Sequence, residues 1–214
     1  MDRFRGMKIV SGYSVLYGPE EGPRPLELNK EDFLYLGKDV CIWPQVKIIN
    51  SKNVGIGHRC MIDDFTFILA GGEPIYLGKF VHISGHCTVT GKGGLTMEDF
   101  SGISHGVRIM TSDEDYSKGT SLTNSTIPPE FRTVKSERVI IKKHALIGCN
   151  SVILPGVTIG EGCTVGSESL VKRNLPPWVV CAGWPARPIK ERPRQRILEL
   201  EQELLRKYPQ YLED

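Results

Sequence analysis

The stretch IKKHAL-IGCNSV-ILPGVT-IGEGCT-VGSESL-VKRNLP, residues 141–176, decides the fold. Each six opens on an aliphatic residue: Ile141, Ile147, Ile153, Ile159, Val165 and Val171. The fifth place of the first five is small or β-branched: Ala145, Ser151, Val157, Cys163 and Ser169. A period of six fits neither an amphipathic helix nor a simply alternating strand. It is the pattern of a hexapeptide β-helix, in which each six supplies one short strand and a corner, and three sixes close one triangular coil.

Carried backwards, the same phase places Leu36, Ile42 and Ile48, then Ile56, Ile62 and Ile68, then Leu77, Ile83 and Val89, then Met97, Ile103 and Ile109 at the inner positions. Successive coils start 20, 21 and 20 residues apart, and the surplus over 18 always follows the third six. One corner of the prism therefore carries small turns and the other two stay tight. Each coil supports only its neighbours, so the ends need covering. Residues 1–33, broken by Pro19, Pro23 and Pro25, are expected to form an N-terminal cap, and residues 34–175 the β-helix. The phase breaks once, at residues 111–138, where TSDEDYSKGTSLTNSTIPPEFRTVKSER adds a loop of a length that is usually functional when it interrupts a compact domain. Residues 176–214 leave the prism, and after Pro193 a helix is expected with Ile197, Leu200 and Leu204 on its apolar face. The fold class is thus all-β, a parallel β-helix with an inserted loop and a C-terminal α-helix.

Composition narrows the function. A chain of 214 residues is one domain with appendages, and a formal charge of +2 gives no reason to expect a nucleic-acid partner. No apolar run reaches the ~18 residues of a membrane span, and the first residues do not read as a signal peptide. Cys60, Cys87 and Cys163 fall on the small inward fifth place, where a thiol acts as a compact hydrophobe, and no CxxC pair occurs. A reduced, cytoplasmic protein is the expectation.

Residues 36–190 resemble the hexapeptide-repeat sugar acetyltransferases, the galactoside and maltose acetyltransferase group and its capsule and O-antigen relatives. The resemblance is carried by IGCNSVILPGVTIGEGCTVGSESLVKRNLPPWVVCAGWPARPI, with its exit through PP and its GxPAR segment. It implies a left-handed prism, a homotrimer, and acetyl-CoA and a sugar or nucleotide-sugar acceptor bound in clefts between adjacent prisms, with no metal and no membrane insertion. By the same resemblance Ser104, Gly148, Cys149 and Ser167 would line the pantetheine arm. Lys172, Arg173 and Arg187 would meet the coenzyme phosphates, which suit charge-assisted hydrogen bonds.

On the acceptor side the chain departs from the family. Galactoside-type enzymes carry a histidine at the start of the inserted loop as general base, whereas here that place is Glu114 and the insertion contains no histidine. A sugar hydroxyl needs a base poised near neutral pH, which imidazole provides and an ordinary carboxylate does not. Three routes stay open. Asp113, Glu114 or Asp115 is a tuned base, with Tyr116 beside the acceptor; or a prism histidine substitutes, His86 first, with His82, Ser84 and His105 lining the acceptor corner; or the acceptor is an amine, and the acidic trio holds its ammonium form. Two readings of other classes compete. The first is a γ-carbonic-anhydrase-like metalloenzyme using His82, His86 and His105, although these occupy different places within their hexapeptides. The second is a non-catalytic β-helix scaffold. His58 and His144 are assigned no role.

Overall fold

The computed structural model describes residues 25–212, together with the backbone of two short paired strands, Ile9–Val10 and Tyr13–Ser14. The cap expected over residues 1–33 falls mostly outside the described residues. Between them the coils build three parallel sheets. The first face stacks Tyr35–Leu36, Val54–Ile56, Ile75–Leu77, Leu95–Met97, Val139–Ile141 and Thr158–Ile159. The second stacks Cys41–Ile42, Met61–Ile62, His82–Ile83, Gly102–Ile103, Leu146–Ile147 and Thr164–Val165, and the third runs from Lys47–Ile49 to Leu170–Val171. The exit segment does not leave at once. Val179–Gly183 extends the second face by one more parallel strand, and Ala186–Glu191 folds back antiparallel upon it.

The inner positions behave as the period requires. Sixteen of the eighteen aliphatic residues are essentially inaccessible; Leu36 and Ile48, in the first coil with no coil beneath among the described residues, are only partly buried. Leu28 and Phe33 pack against that end of the core. The small fifth places are buried too, and their polar groups are satisfied by the adjacent coil: Thr66 Oγ1 donates to Ser84 O (3.0 Å) and Ser151 Oγ to Gly166 O (3.1 Å). The thiols do likewise, Cys60 Sγ reaching Gly78 O at 2.9 Å. All six cysteines are free, and burial pushes the Cys60 and Cys163 thiols up to about 12, which keeps them inert.

Corners are built on left-handed backbone. Arg59, Phe80, Phe100, His144 and Trp178 follow the first face with positive φ, as do Phe65, His86, Asn150 and Glu168 after the second. Such a conformation costs an L-residue ~1–2 kcal/mol. It is retained because each corner N–H then bonds the coil below, as Phe80 to His58 O (2.8 Å) and Phe100 to Lys79 O (2.9 Å). The rings also stack at the rung spacing, Phe80 on Phe100 at 4.8 Å and Phe100 on His144 at 5.2 Å.

The inserted segment is more ordered than a loop. Ser112–Glu114 pairs antiparallel with Val134–Ser136, and Pro129–Phe131 forms a turn of 3₁₀ helix on the return leg. The C-terminal helix, α1 (Gln195–Lys207), forms as expected but on a different face. Leu200 is 48% exposed, whereas Glu201 is buried at the centre of a stripe formed with the partly buried Ile197, Leu198, Leu204 and Leu205. The reason is electrostatic: Glu201 accepts from Lys143 Nζ (2.5 Å) and pairs with His144 Nε2 (2.7 Å) on the prism corner. Beyond α1, the Tyr211 hydroxyl donates to Asp39 of the first coil, and Lys79 Nζ donates to Leu212 O (3.0 Å).

Burial alone would push the Glu201 carboxyl up, but the hydrogen bonds from Lys143 and His144 outweigh it and hold it below the usual carboxylate range. A group depressed in the folded state stabilises above its unfolded pKa of about 4.3 and loses that contribution as pH falls through its folded value. The melting temperature of the native chain should therefore fall more steeply below about pH 4.5 than that of Glu201→Gln. Glu201→Ala leaves two basic groups uncompensated and should cost ~3 kcal/mol in urea denaturation at neutral pH.

Candidate active site

Stacking turns separate motifs into columns. Ser84 N–H donates to Ile103 O (3.0 Å), Ser104 N–H to Ile147 O (2.9 Å) and Gly148 N–H to Val165 O (2.7 Å), so Ser84, Ser104 and Gly148 stand above one another. The neighbouring column holds His105, Cys149 and Ser167, tied by Asn150 N–H to His105 O and Glu168 N–H to Cys149 O. His86 follows at the turn itself. The edge between the second and third faces thus gathers Ser84, His86, Ser104, His105, Gly148, Cys149 and Ser167, with His82 on the face beside it.

Glycine on this edge has two reasons. A Cβ at Gly148 would meet Ser167 N at 2.5 Å and Val165 O at 2.8 Å, so the coil above forbids a side chain there. The residue also leaves the edge flat, open to a thin arm. At the upper end Gly166 is covered by Ala182, whose cross-strand partner is Arg187; the exposed guanidinium therefore stands at the end of this edge. Lys172 and Arg173 do not join it. They are exposed at the following corner, after the third face.

The acidic group also lies beyond the third face. Asp113 is exposed and faces Lys135 across the hairpin, its Oδ1 accepting from Glu114 N–H (2.9 Å). Glu114 is held at both oxygens: Oε1 accepts from Arg132 Nη1 (2.8 Å) and Oε2 from the Asn124 N–H. The Asp115 carboxyl, against a burial penalty, is drawn below its usual range by hydrogen bonds from Lys118 and by the Lys118 charge, at 3.2 Å. Tyr116 is 73% exposed. Within one chain, then, the third face separates the Asp113–Tyr116 group from the Ser84–Ser167 edge.

The histidines sort themselves by contact. His82 Nε2 lies 3.0 Å from Asp63 Oδ2, while His86 stacks on the exposed Phe65 ring at 4.9 Å. His105 is exposed. Among the described residues no three His, Cys, Asp or Glu side chains converge as a metal-ligand set. Nothing in the sequence marks Asp63, Arg132 or Asn124 as partners of the candidate residues His82 and Glu114. The coil spacing could have found Asp63, since it precedes Ser84 by one coil of 21 residues and so lies beneath it.

Three kinds of comparison bear on the family of the chain. Residues 138–173 match the family profile described as bacterial transferase hexapeptide (six repeats). The chain is 36% identical over 176 residues to the dTDP-4-amino-4,6-dideoxy-D-glucose acyltransferase of Escherichia coli, covering 82% of this chain and 91% of that one. It is 27% identical over 192 residues to the galactoside O-acetyltransferase of E. coli K12, covering 88% and 78%. Among solved structures, a variant of AntD, an N-acyltransferase from Bacillus cereus in complex with dTDP and coenzyme A, superposes with a TM-score of 0.77 at 39% identity over 83% of this chain and 94% of that one. A second AntD variant, in complex with dTDP-4-amino-4,6-dideoxyglucose and coenzyme A, superposes equally well at 38% identity. The chain belongs to the hexapeptide-repeat family of sugar acyltransferases, and it is a coenzyme A-dependent acyltransferase acting on a hydroxyl or amino group of a sugar.

Proposed function

We propose that this acyltransferase transfers an acetyl or other short acyl group from its coenzyme A thioester to the amino group of a nucleotide-linked amino sugar, for surface polysaccharide assembly. The observation that carries the reading is the acidic hairpin. Its carboxylates are positioned by Arg132, Lys118 and backbone amides, and no imidazole stands among them. A hydroxyl acceptor would need a strong base at that place, whereas an amine needs a negative partner and a route for its proton. The AntD structures hold a dTDP-linked amino sugar with coenzyme A, and the E. coli relative is an acyltransferase for the same kind of sugar. A thymidine diphosphate sugar with a 4-amino group is accordingly the acceptor to try first. Acyl length stays open, since AntD has also been solved with 3-hydroxybutyryl-CoA.

In this reading the prism over residues 34–175 is the transferase domain, residues 1–33 its cap and residues 176–214 the arm that brings Arg187 to the coenzyme. The pantetheine runs along the edge of Ser104, Gly148, Cys149 and Ser167, with Arg187 at its phosphate end. Glu114 and Asp113 hold the acceptor ammonium, with Asp115 and Tyr116 beside them. Ser84, His82, His86 and His105 border the acceptor end of the edge. Lys172 and Arg173, one corner away, would serve a neighbouring copy. A homotrimer is part of the same reading: the edge and the acidic hairpin flank the third face, an arrangement that a site shared between copies would bring together. Six free cysteines fit the reducing cytoplasm, and among the described residues no helix is long and apolar enough to cross a membrane.

Two measurements test this. Acetyl-CoA turnover against matched panels should appear with dTDP-linked 4-amino sugars and not with sugars bearing hydroxyls alone. Glu114→Ala should raise the acceptor KM at least ~10-fold while leaving thermal stabilisation by acetyl-CoA intact. Turnover confined to hydroxyl sugars would overturn the N-acylation reading. Sedimentation should give the mass of three chains. Coexpression of Glu114→Ala with Ser104→Tyr, each impaired alone at low acceptor concentration, should recover part of the activity there, because mixed assemblies contain sites with an intact hairpin from one copy and an intact edge from another. Additive impairment would place the whole site within one chain.

A further inference from the structure

We propose that His82, oriented by Asp63, is the base that takes the proton lost when the acceptor amine becomes an amide. The inference rests on the N-acylation reading above and adds the catalytic group that reading leaves unnamed. Conversion of an ammonium to an amide releases two protons. The nitrogen lone pair forms the new C–N bond to the thioester carbonyl, the C–S bond breaks, and the departing thiolate of coenzyme A retains one proton. The second must leave on a base, and the carboxylates of the hairpin are already held by Arg132, Lys118 and backbone N–H groups.

Contacts single out one histidine of the five. His144 is buried and locked to Glu201 beneath α1. His58 is buried, and its Nδ1 accepts from the Lys38 N–H at 2.7 Å. His86 is stacked face to face on Phe65, and neither it nor the exposed His105 has a carboxylate partner among the described residues. His82 alone combines partial exposure, 41% of its side chain, with an orienting carboxylate 3.0 Å from Nε2. With Nε2–H donated to Asp63, Nδ1 carries the free lone pair, which is the arrangement that fixes tautomer and direction in imidazole bases.

The neighbour on the coil above carries no side chain. His82 pairs in register with Gly102 on the coil above. Unlike Gly148, Gly102 is not demanded by packing: a Cβ there would meet His82 O and Leu146 Cδ1 at 3.5 Å, both ordinary contacts. His82 itself lies two residues before Ser84, one step from the edge assigned to the pantetheine. The titratable groups around it are Asp63 and Asp64 on the coil below, Lys79 and His86 on its own coil, and His105 above. Asp64 is engaged by the Gln45 N–H at 2.8 Å, and Lys79 by Leu212 O.

The test is the pH dependence of acetyl transfer from acetyl-CoA to the dTDP-linked amino sugar turned over by the native enzyme. His82→Gln should lower kcat by ~10²-fold or more and displace the acid limb of the profile to higher pH, where the free amine supplies itself. Asp63→Asn should move both in the same direction by less. Added imidazole should restore part of the activity of His82→Ala, a rescue that a purely structural role would not allow. Acetyl-CoA stabilisation and melting temperature should stay near the native values in all three. A His82→Gln enzyme within about threefold of native kcat and with an unmoved acid limb would overturn the assignment while leaving N-acylation in place. If the native enzyme turns over no amine at all, the underlying reading fails first and takes this one with it.

Discussion

Everything in this molecule depends on one repeated contact, the hydrogen bonding of each coil's backbone to the coil beneath at a spacing of ~4.8 Å. Because the ladder runs along the prism axis, every outward place becomes a column of equivalent places. The columns explain choices that look arbitrary in the linear sequence. Gly57 is glycine because a Cβ would meet Gly78 O at 2.6 Å. Buried hydroxyls at positions 66 and 151 are tolerated because a carbonyl of the next coil lies within reach. Aromatic residues at left-handed corners bear a backbone penalty, which stacking at the rung distance offsets.

The same contact determines how the site can be built. Because outward places fall in columns, binding groups can be collected along an edge, and the edge between the second and third faces collects small and polar residues from several coils in succession. In the proposed reading the acceptor is met differently, by a hairpin that leaves the prism at a corner and is braced internally by Glu114 and Arg132. Such a division would separate coenzyme recognition, tied to the rigid ladder, from acceptor recognition, carried on an excursion that can vary without disturbing any coil. It is consistent with a family whose members share the coils and differ in the sugar.

How much of this was legible in sequence differs from part to part. The inner column was plain, since sixes opening on Ile, Leu, Val or Met leave few alternatives and burial is what those residues do. Ser84, Ser104, Gly148 and Ser167 could be aligned on one edge by counting coils, because the ladder makes sequence offset equal to spatial neighbourhood. What failed was whatever the ladder does not govern. The face of α1 was read from its apolar residues, yet an ion pair to Lys143 and a hydrogen bond with His144 turned Glu201 inward and left Leu200 out. The hairpin strands SDE and VKS lack apolar alternation, so nothing in them announces pairing; Arg132 meets Glu114 only once the chain has doubled back. Asp63 carried no motif of its own and gained meaning from the histidine one coil above.

The reach of the C-terminal segment changes the character of the solenoid. Coils that touch only their neighbours form a one-dimensional array, and such arrays fray from whichever end is weaker. Here the chain emerges at the last coil, where Arg192 donates to His144 O and Gly162 O, and returns along a corner to the first coil through Tyr211 and Asp39. The two ends of the stack are thereby joined by a single covalent strap. An open row of rungs becomes a closed circuit, in which fraying of the first coil must also give up the contact of Tyr211 with Asp39, so the strap couples the melting of the two ends.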